Sequence, residues 1–138
     1  MKTVLPFLLF LTVTTGTAQN RWQVRHNKKI IINTATEDTL QNRIILTHED
    51  LKKWGCLWLT YRENPKRNDW KRNFAVYNGT AEWLQKSRNP FKIRNRAFRK
   101  LATQGTQLYI YTWSLPADPA VAATVRVRRV HLCTLILK

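Results

Sequence analysis

An antiparallel β-sandwich, mainly β with two short helical turns and a closing C-terminal strand, is the fold class this sequence predicts. Three observations point there. Many short segments alternate apolar and polar residues, turn residues recur at close intervals, and no stretch sustains a long helical period.

The elements fall into two segments built on one plan, 22–61 and 74–111. Each opens on an alternating strand, with Trp22 and Val24 in the first and Phe74 and Val76 in the second. Each then reaches a hairpin signal, Asn27-Lys28 or Asn78-Gly79, and returns along Lys29–Asn33 or Ala81–Lys86. A short apolar run follows, Ile44-Ile45-Leu46 or Phe91 with Ile93, and then a helix-capping residue, Thr47 or Asn95. Thr47 with Asp50 three residues on is a capping-box pattern. The short basic helices are Leu51-Lys52-Lys53-Trp54 and Phe98-Arg99-Lys100-Leu101, stopped at Gly55 and near Gly105. The strongest strand of each segment comes last, Cys56–Tyr61 and Gln107–Tyr111. This order predicts an internal duplication, with Asn64-Pro65 to Asp69 as the linker between copies.

Leu115-Pro116-Ala117-Asp118-Pro119 is a breaker cluster, and the closing strand is expected over 124–137. Its apolar parity changes between Val125/Val127 and Val130/Leu132/Ile136. Either a bulge near Arg128-Arg129 reconciles the two registers, or Leu135 and Leu137 join Val125 and Val127 and the strand is buried on both faces near its end.

Residues 1–18 have the layout of a signal peptide. Lys2 forms a positive start, Val4–Val13 an apolar run too short to span a bilayer, and Gly16 and Ala18 a small-residue end. The expected mature chain is a single domain, 19–138, of 120 residues with no transmembrane segment, exported to a periplasm or the exterior. The whole chain has 24 Lys and Arg against 8 Asp and Glu, a net charge of +16, and loss of Lys2 leaves +15. That imbalance costs stability by self-repulsion and draws the molecule to polyanions. Export makes intracellular nucleic acid the least fitting of these. Cys56 and Cys133, an even pair in an oxidising compartment, allow one disulfide worth about 4 kcal/mol; two separate buried thiols are the alternative.

A search for catalytic chemistry returns little. Ser87 and Ser114, the only serines, lie in no nucleophile-elbow pattern, and Glu37-Asp38 and Glu49-Asp50 read as loop and helix-start acids. His131-Leu132-Cys133 could place an imidazole and a thiol on one strand face and, with Cys56 and His26 or His48, ligate a metal. A Cys–His nucleophile is a further reading, and an inward Cys beside a hydrogen-bonded His the structural one. No catalytic residue, metal or cofactor is expected on balance.

The basic residues carry the functional expectation. Lys86, Arg88, Lys92, Arg94, Arg96, Arg99 and Lys100 cluster among Trp83, Phe91 and Phe98, and Arg126, Arg128 and Arg129 form a second group. Guanidinium groups present a flat fork that suits phosphate and carboxylate. The closing run DPAVAATVRVRRVHLCTL resembles the tail of small exported bacterial proteins of no assigned function. That resemblance implies an envelope address and carries over no site residue. The expectation is an exported, cationic, non-enzymatic module that binds an anionic polymer, anionic lipid headgroup or acidic protein, with no specific nucleic acid. An envelope protein–protein module is the alternative.

Overall fold

The computed structural model describes residues 19–79, 81–101 and 106–138. The leader expected at 1–18 and the helix stop expected at Gly105 lie outside the described residues. Among the described residues the molecule is mainly β, with two sheets packed together and three short helices.

The first segment forms β1 (Arg21–His26), β2 (Lys29–Thr34), β3 (Arg43–Leu46), α1 (His48–Lys52) and β4 (Cys56–Arg62). The second forms β5 (Trp70–Asn78), β6 (Ala81–Lys86), β7 (Phe91–Arg94), α2 (Asn95–Leu101) and β8 (Gln107–Pro116). The element order is the same in both. The chain ends with α3 (Pro119–Ala122) and β9 (Val130–Leu137).

Strand pairing repeats the plan as well. One sheet is ordered β2-β1-β4-β7 and the other β6-β5-β8-β9-β3. In each, a hairpin pairs with the last strand of its own segment: β2-β1-β4 matches β6-β5-β8. The short third strands are exchanged between the sheets. β7 joins β4 antiparallel, whereas β3 crosses to the other sheet and is held off β8 by β9. β3 therefore runs parallel to β9, Arg43 opposite Thr134 and Leu46 opposite Leu137. The sandwich is antiparallel except for this pair, a correction to the all-antiparallel expectation. Both swapped strands alternate strictly, with Ile44, Leu46, Phe91 and Ile93 buried and Ile45, Lys92 and Arg94 exposed.

The inner faces meet in one core. Trp22, Val24, Leu57, Leu59 and Tyr61 pack from the smaller sheet against Phe74, Val76, Leu108, Ile110, Cys133 and Leu135 from the larger. Phe74 and Phe91 stack across the interface at 5.2 Å, and the Trp22 indole Nε1 donates to the Leu132 carbonyl at 3.0 Å. That hydrogen bond satisfies a buried donor that would otherwise be orphaned.

Local chemistry sets the turns. Asn27 has a positive φ of 56° and Gly79 one of 75° in the two hairpins. Thr47 caps α1 with a complete capping box to Asp50. Gly55 does not end α1 by a left-handed turn, as expected from sequence; the helix runs out through extended Lys53. Gly55 is needed for clearance instead. A Cβ there would lie 1.9 Å from Asn27 Oδ1, which accepts from the Cys56 amide.

Two further expectations are corrected. The closing strand spans 130–137, not 124–137, and the irregularity falls at Leu132, between the pairs Tyr111–His131 and Ile110–Cys133, not near Arg128-Arg129. The strand is buried on both faces from His131 to Leu135, but Val125 and Val127 lie outside it, so Leu135 and Leu137 do not join them in one register. Cys56 and Cys133 are both free thiols. They cannot sit on neighbouring strands, because β4 and β9 belong to different sheets.

Candidate anion-binding surface

The smaller sheet turns a cationic face to solvent. Trp22 and Val24 point inward along β1, so Arg21, Gln23 and Arg25 point outward. On β4, Leu57, Leu59 and Tyr61 are buried and Cys56, Trp58, Thr60 and Arg62 face out. On β7 the outward residues are Lys92 and Arg94. Register aligns Arg21 with Arg62, Arg25 with Trp58, Trp58 with Lys92, and Cys56 with Arg94. No carboxylate lies among these outward residues, and none of the cations forms an ion pair among the described residues.

Trp58 organises the centre of this face. The Arg25 guanidinium lies 5.9 Å and the Lys92 ammonium 4.7 Å from its ring centroid. The ring quadrupole attracts both, so two like charges from the two flanking strands share one post. Their long side chains lose freedom before any ligand arrives, which lowers the ordering cost of binding an anion there.

The face continues into an open cleft of about 550 Å³ lined by Lys53, Trp54, Gly55, Cys56, Lys92, Arg94, Asn95, Arg96 and Arg99. Asn95 sets its geometry. It opens α2 and is buried, but it does not act as the simple helix cap expected from sequence. Its Nδ2 donates to the carbonyls of Asp50 (3.2 Å) and Lys53 (3.0 Å), and its Oδ1 lies 2.9 Å from His26 Nε2. With the amide nitrogen committed to two carbonyls, Oδ1 is the acceptor and His26 the donor. The Asn95 amide donates to the Gly55 carbonyl, and Arg99 Nη1 reaches the Lys52 carbonyl. Asn95 thus ties together, through its side chain and its backbone amide, the end of α1, the junction before β4 and the end of β1.

The basic residues expected as one site are divided by the fold. Lys92, Arg94, Arg96 and Arg99 come together in the cleft. Lys86, Arg88 and Lys100 are exposed but do not line it. Arg126, Arg128 and Arg129 lie in the connection between α3 and β9. Arg128 pairs with Glu37, and Arg129 sits over Trp113 (4.6 Å) and Tyr77 (5.4 Å) on the larger sheet. Phe91 and Phe98 are fully buried core residues. Sequence reasoning missed Arg21, Arg25, Lys53, Trp54, Trp58 and Arg62. For Arg21, Arg25, Trp58 and Arg62 the available signal was the polar parity of β1 and β4, in which Arg21 and Arg25 alternate with the inward Trp22 and Val24.

His131 and Cys133 do not form a site. The irregularity at Leu132 breaks the two-residue spacing that would align them. His131 Nε2 bonds Thr134 Oγ1 at 2.9 Å and its ring meets Tyr111 edge-on. Burial pushes the imidazole pKa below its usual range, against a smaller opposing pull from Glu37. Cys133 is fully buried, and desolvation raises its thiol pKa. A protonated, inaccessible thiol is neither a nucleophile nor a ligand. Among the described residues, no group of three or more His, Cys, Asp or Glu could hold a metal ion, and no helix is long and apolar enough to cross a membrane.

No family model, curated protein or solved structure matches this chain.

Proposed function

We propose that the protein is an exported, non-enzymatic module that binds an anionic partner through the outer face of its smaller sheet. The observation that carries this reading is the arrangement of Arg21, Arg25, Arg62, Lys92 and Arg94 on one face without a carboxylate, with Arg25 and Lys92 ordered on Trp58. Like charges directly opposite each other, as at Arg21–Arg62, cost stability in a sheet. A partner that supplies the missing negative charge offsets that cost. The face is broad and open, which suits an extended anionic surface or polymer better than an enclosed small molecule.

The test is retention on a sulfated matrix against a neutral one across a salt series. Retention on the sulfated matrix should fall steeply with salt, because each neutralised site releases counterions. The triple variant Arg25→Gln, Lys92→Gln, Arg94→Gln should elute at lower salt with a shallower dependence and an unchanged unfolding midpoint. Equal retention on both matrices, or no response to the variant, would reduce the charge to solubility and move the weight to an envelope protein–protein module.

A further inference from the structure

One end of the smaller sheet combines the cationic face with exposed apolar side chains. Trp54, at the junction of α1 and β4, is 100% exposed. Ile30 and Ile31, just past the β1–β2 turn, are 51% and 38% exposed. They share an end of the sheet. The Asn27 amide donates to the Cys56 carbonyl at 2.9 Å, and Cys56 returns a bond to Asn27 Oδ1, so the hairpin turn abuts the Trp54-Gly55-Cys56 junction. Ile30 is the register partner of Arg25. Lys53, Arg94, Arg96 and Arg99 line the cleft with Trp54, Lys28 lies in the β1–β2 turn and Lys29 opens β2 beside Ile30. The nearby carboxylates are occupied: Glu49 is paired with Lys52, and Asp50 is bound in the Thr47 cap.

We infer that this end docks on an anionic lipid bilayer, with Trp54 and Ile30 entering the interface and the surrounding cations on the headgroup phosphates. The inference deepens the reading above by naming the partner, and it rests on that reading. A soluble polyanion satisfies the cations but offers nothing to Ile30 and Ile31, which neither stack nor hydrogen-bond. A bilayer surface satisfies both at adjacent depths: phosphate outermost, then the acyl boundary where indole rings settle. The support under Trp54 is rigid for an exposed turn. Asn95 binds the carbonyls of Asp50 and Lys53 on its N-terminal side, and on its C-terminal side Cys56 exchanges two hydrogen bonds with Asn27. The backbone that carries the exposed indole is therefore anchored on both sides.

The experiment uses the full chain with vesicles of phosphatidylcholine alone or containing phosphatidylglycerol, and the same vesicles carrying brominated acyl chains. Residues 1–18 contain no Trp, so quenching by bromine reports only the folded domain. The expected result is binding to the anionic vesicles with partial quenching. Trp54→Ser should abolish the quenching and weaken binding tenfold or more, with Ile30→Ser acting in the same direction. Retention on a soluble sulfated polysaccharide should be unaffected by Ile30→Ser, because Ile30 lies outside the cationic cleft. If Trp54→Ser binds and is quenched like the parent, the lipid inference falls while retention on the polysaccharide keeps the anion-binding reading. If Ile30→Ser weakens polysaccharide binding as much as vesicle binding, the apolar side chain is a contact for the polymer and the lipid inference falls again. If neither vesicles nor polysaccharide are bound, both readings fall.

Discussion

The two sheets are built on one plan and use their surface charges differently. On the smaller sheet Arg21, Arg25, Arg62, Lys92 and Arg94 face solvent with only Trp58 to steady two of them. On the larger sheet's side Arg72 is tied to Glu63 and lies over Tyr61, Arg128 is tied to Glu37, and Arg129 is spread over Trp113 and Tyr77. Arginines given a partner within the fold serve the fold; those left without one are available to something else. The same contrast runs through the swapped strands. β7 pairs directly with β4 and brings Lys92 and Arg94 to the cationic face, whereas β3 is separated from β8 by the almost wholly buried β9. β9 adds a buried strand to the larger sheet, and the smaller sheet keeps its cations exposed.

The largest way to break this comparison is to attack what the sheets share. Phe74 and Phe91 stack across the interface and neither is exposed. Phe91→Ala or Phe74→Ala should each cost about 3–5 kcal/mol of stability. The double variant should cost less than the sum, since one cavity serves both. Urea unfolding of the four proteins in the cycle measures this. Simple addition would mean that the two rings do not share a contact in solution.

A smaller effect is expected where the two helices meet. Asn95→Ala removes the donor for Asp50 and Lys53 and strands the His26 ring. Buried polar groups left unpaired predict a loss of about 2–3 kcal/mol. Asn95→Asp should fail to rescue, because a carboxylate has no N–H for the two carbonyls. Anion binding should weaken along with stability, since the cleft residues Lys53 and Trp54 lose their anchor. An Asn95→Asp protein as stable as the parent would show that the contact does not depend on the amide donor.

These contacts also show how far the sequence could be read. Turns, caps and alternation are local, and local signals located the hairpins at Asn27 and Gly79, the Thr47 cap and the repeated element order. Which sheet a strand joins is decided by partners far along the chain, and nothing in the alternation of Ile44–Leu46 or Phe91–Ile93 encodes their exchange. The same blindness left a bridge between Cys56 and Cys133 open, and the fold puts the two thiols in different sheets. The stretch 124–129 alternates as a strand should, yet forms none. Arg129 is drawn onto Trp113 and Tyr77 and Arg128 onto Glu37, contacts that take this stretch out of the ladder. The cationic face was half legible: its β7 and α2 residues cluster in sequence, while those of β1 and β4 join only through strand pairing.

A pH titration sharpens the contrast from the larger sheet's side. His131 Nδ1 is buried without a partner while Nε2 bonds Thr134, so charging the ring would add a buried N–H with nothing to receive it. Tyr111 lies edge-on to it, and Glu37, bound to the His131 amide, is the nearby carboxylate that partly favours the charged form. Desolvation prevails and lowers the folded-state pKa below the ordinary 6.5. The unfolded chain then binds the extra proton first, and stability rises with pH through this window. The contribution is complete above the unfolded value of about 6.5 and is lost as pH falls below it, with a slope of at most about 1.4 kcal/mol per pH unit. Unfolding midpoints at pH 7.5 and 5.0 should therefore diverge more in the parent than in His131→Gln. An equal drop in both would assign the acid sensitivity to another group.

The smallest effect separates function from stability on the smaller sheet. Arg21 and Arg62 are direct register partners in an antiparallel pair, where like charges repel. Arg62→Glu turns that repulsion into attraction and should raise stability by about 0.5 kcal/mol, the scale of a cross-strand charge pair at a solvated face. The same change places a carboxylate on a face that has none, so retention on the sulfated matrix should drop. A stabilised protein that binds less is the signature of charge kept for a partner rather than for the fold. The control is Arg128→Gln on the other side, which removes the tie to Glu37 and should lower stability slightly while leaving retention unchanged. If Arg62→Glu weakens both stability and retention, Arg62 contributes to the fold in a way its register does not show. If Arg128→Gln also lowers retention, the whole surface binds as one diffuse positive field and the two faces do not differ in function.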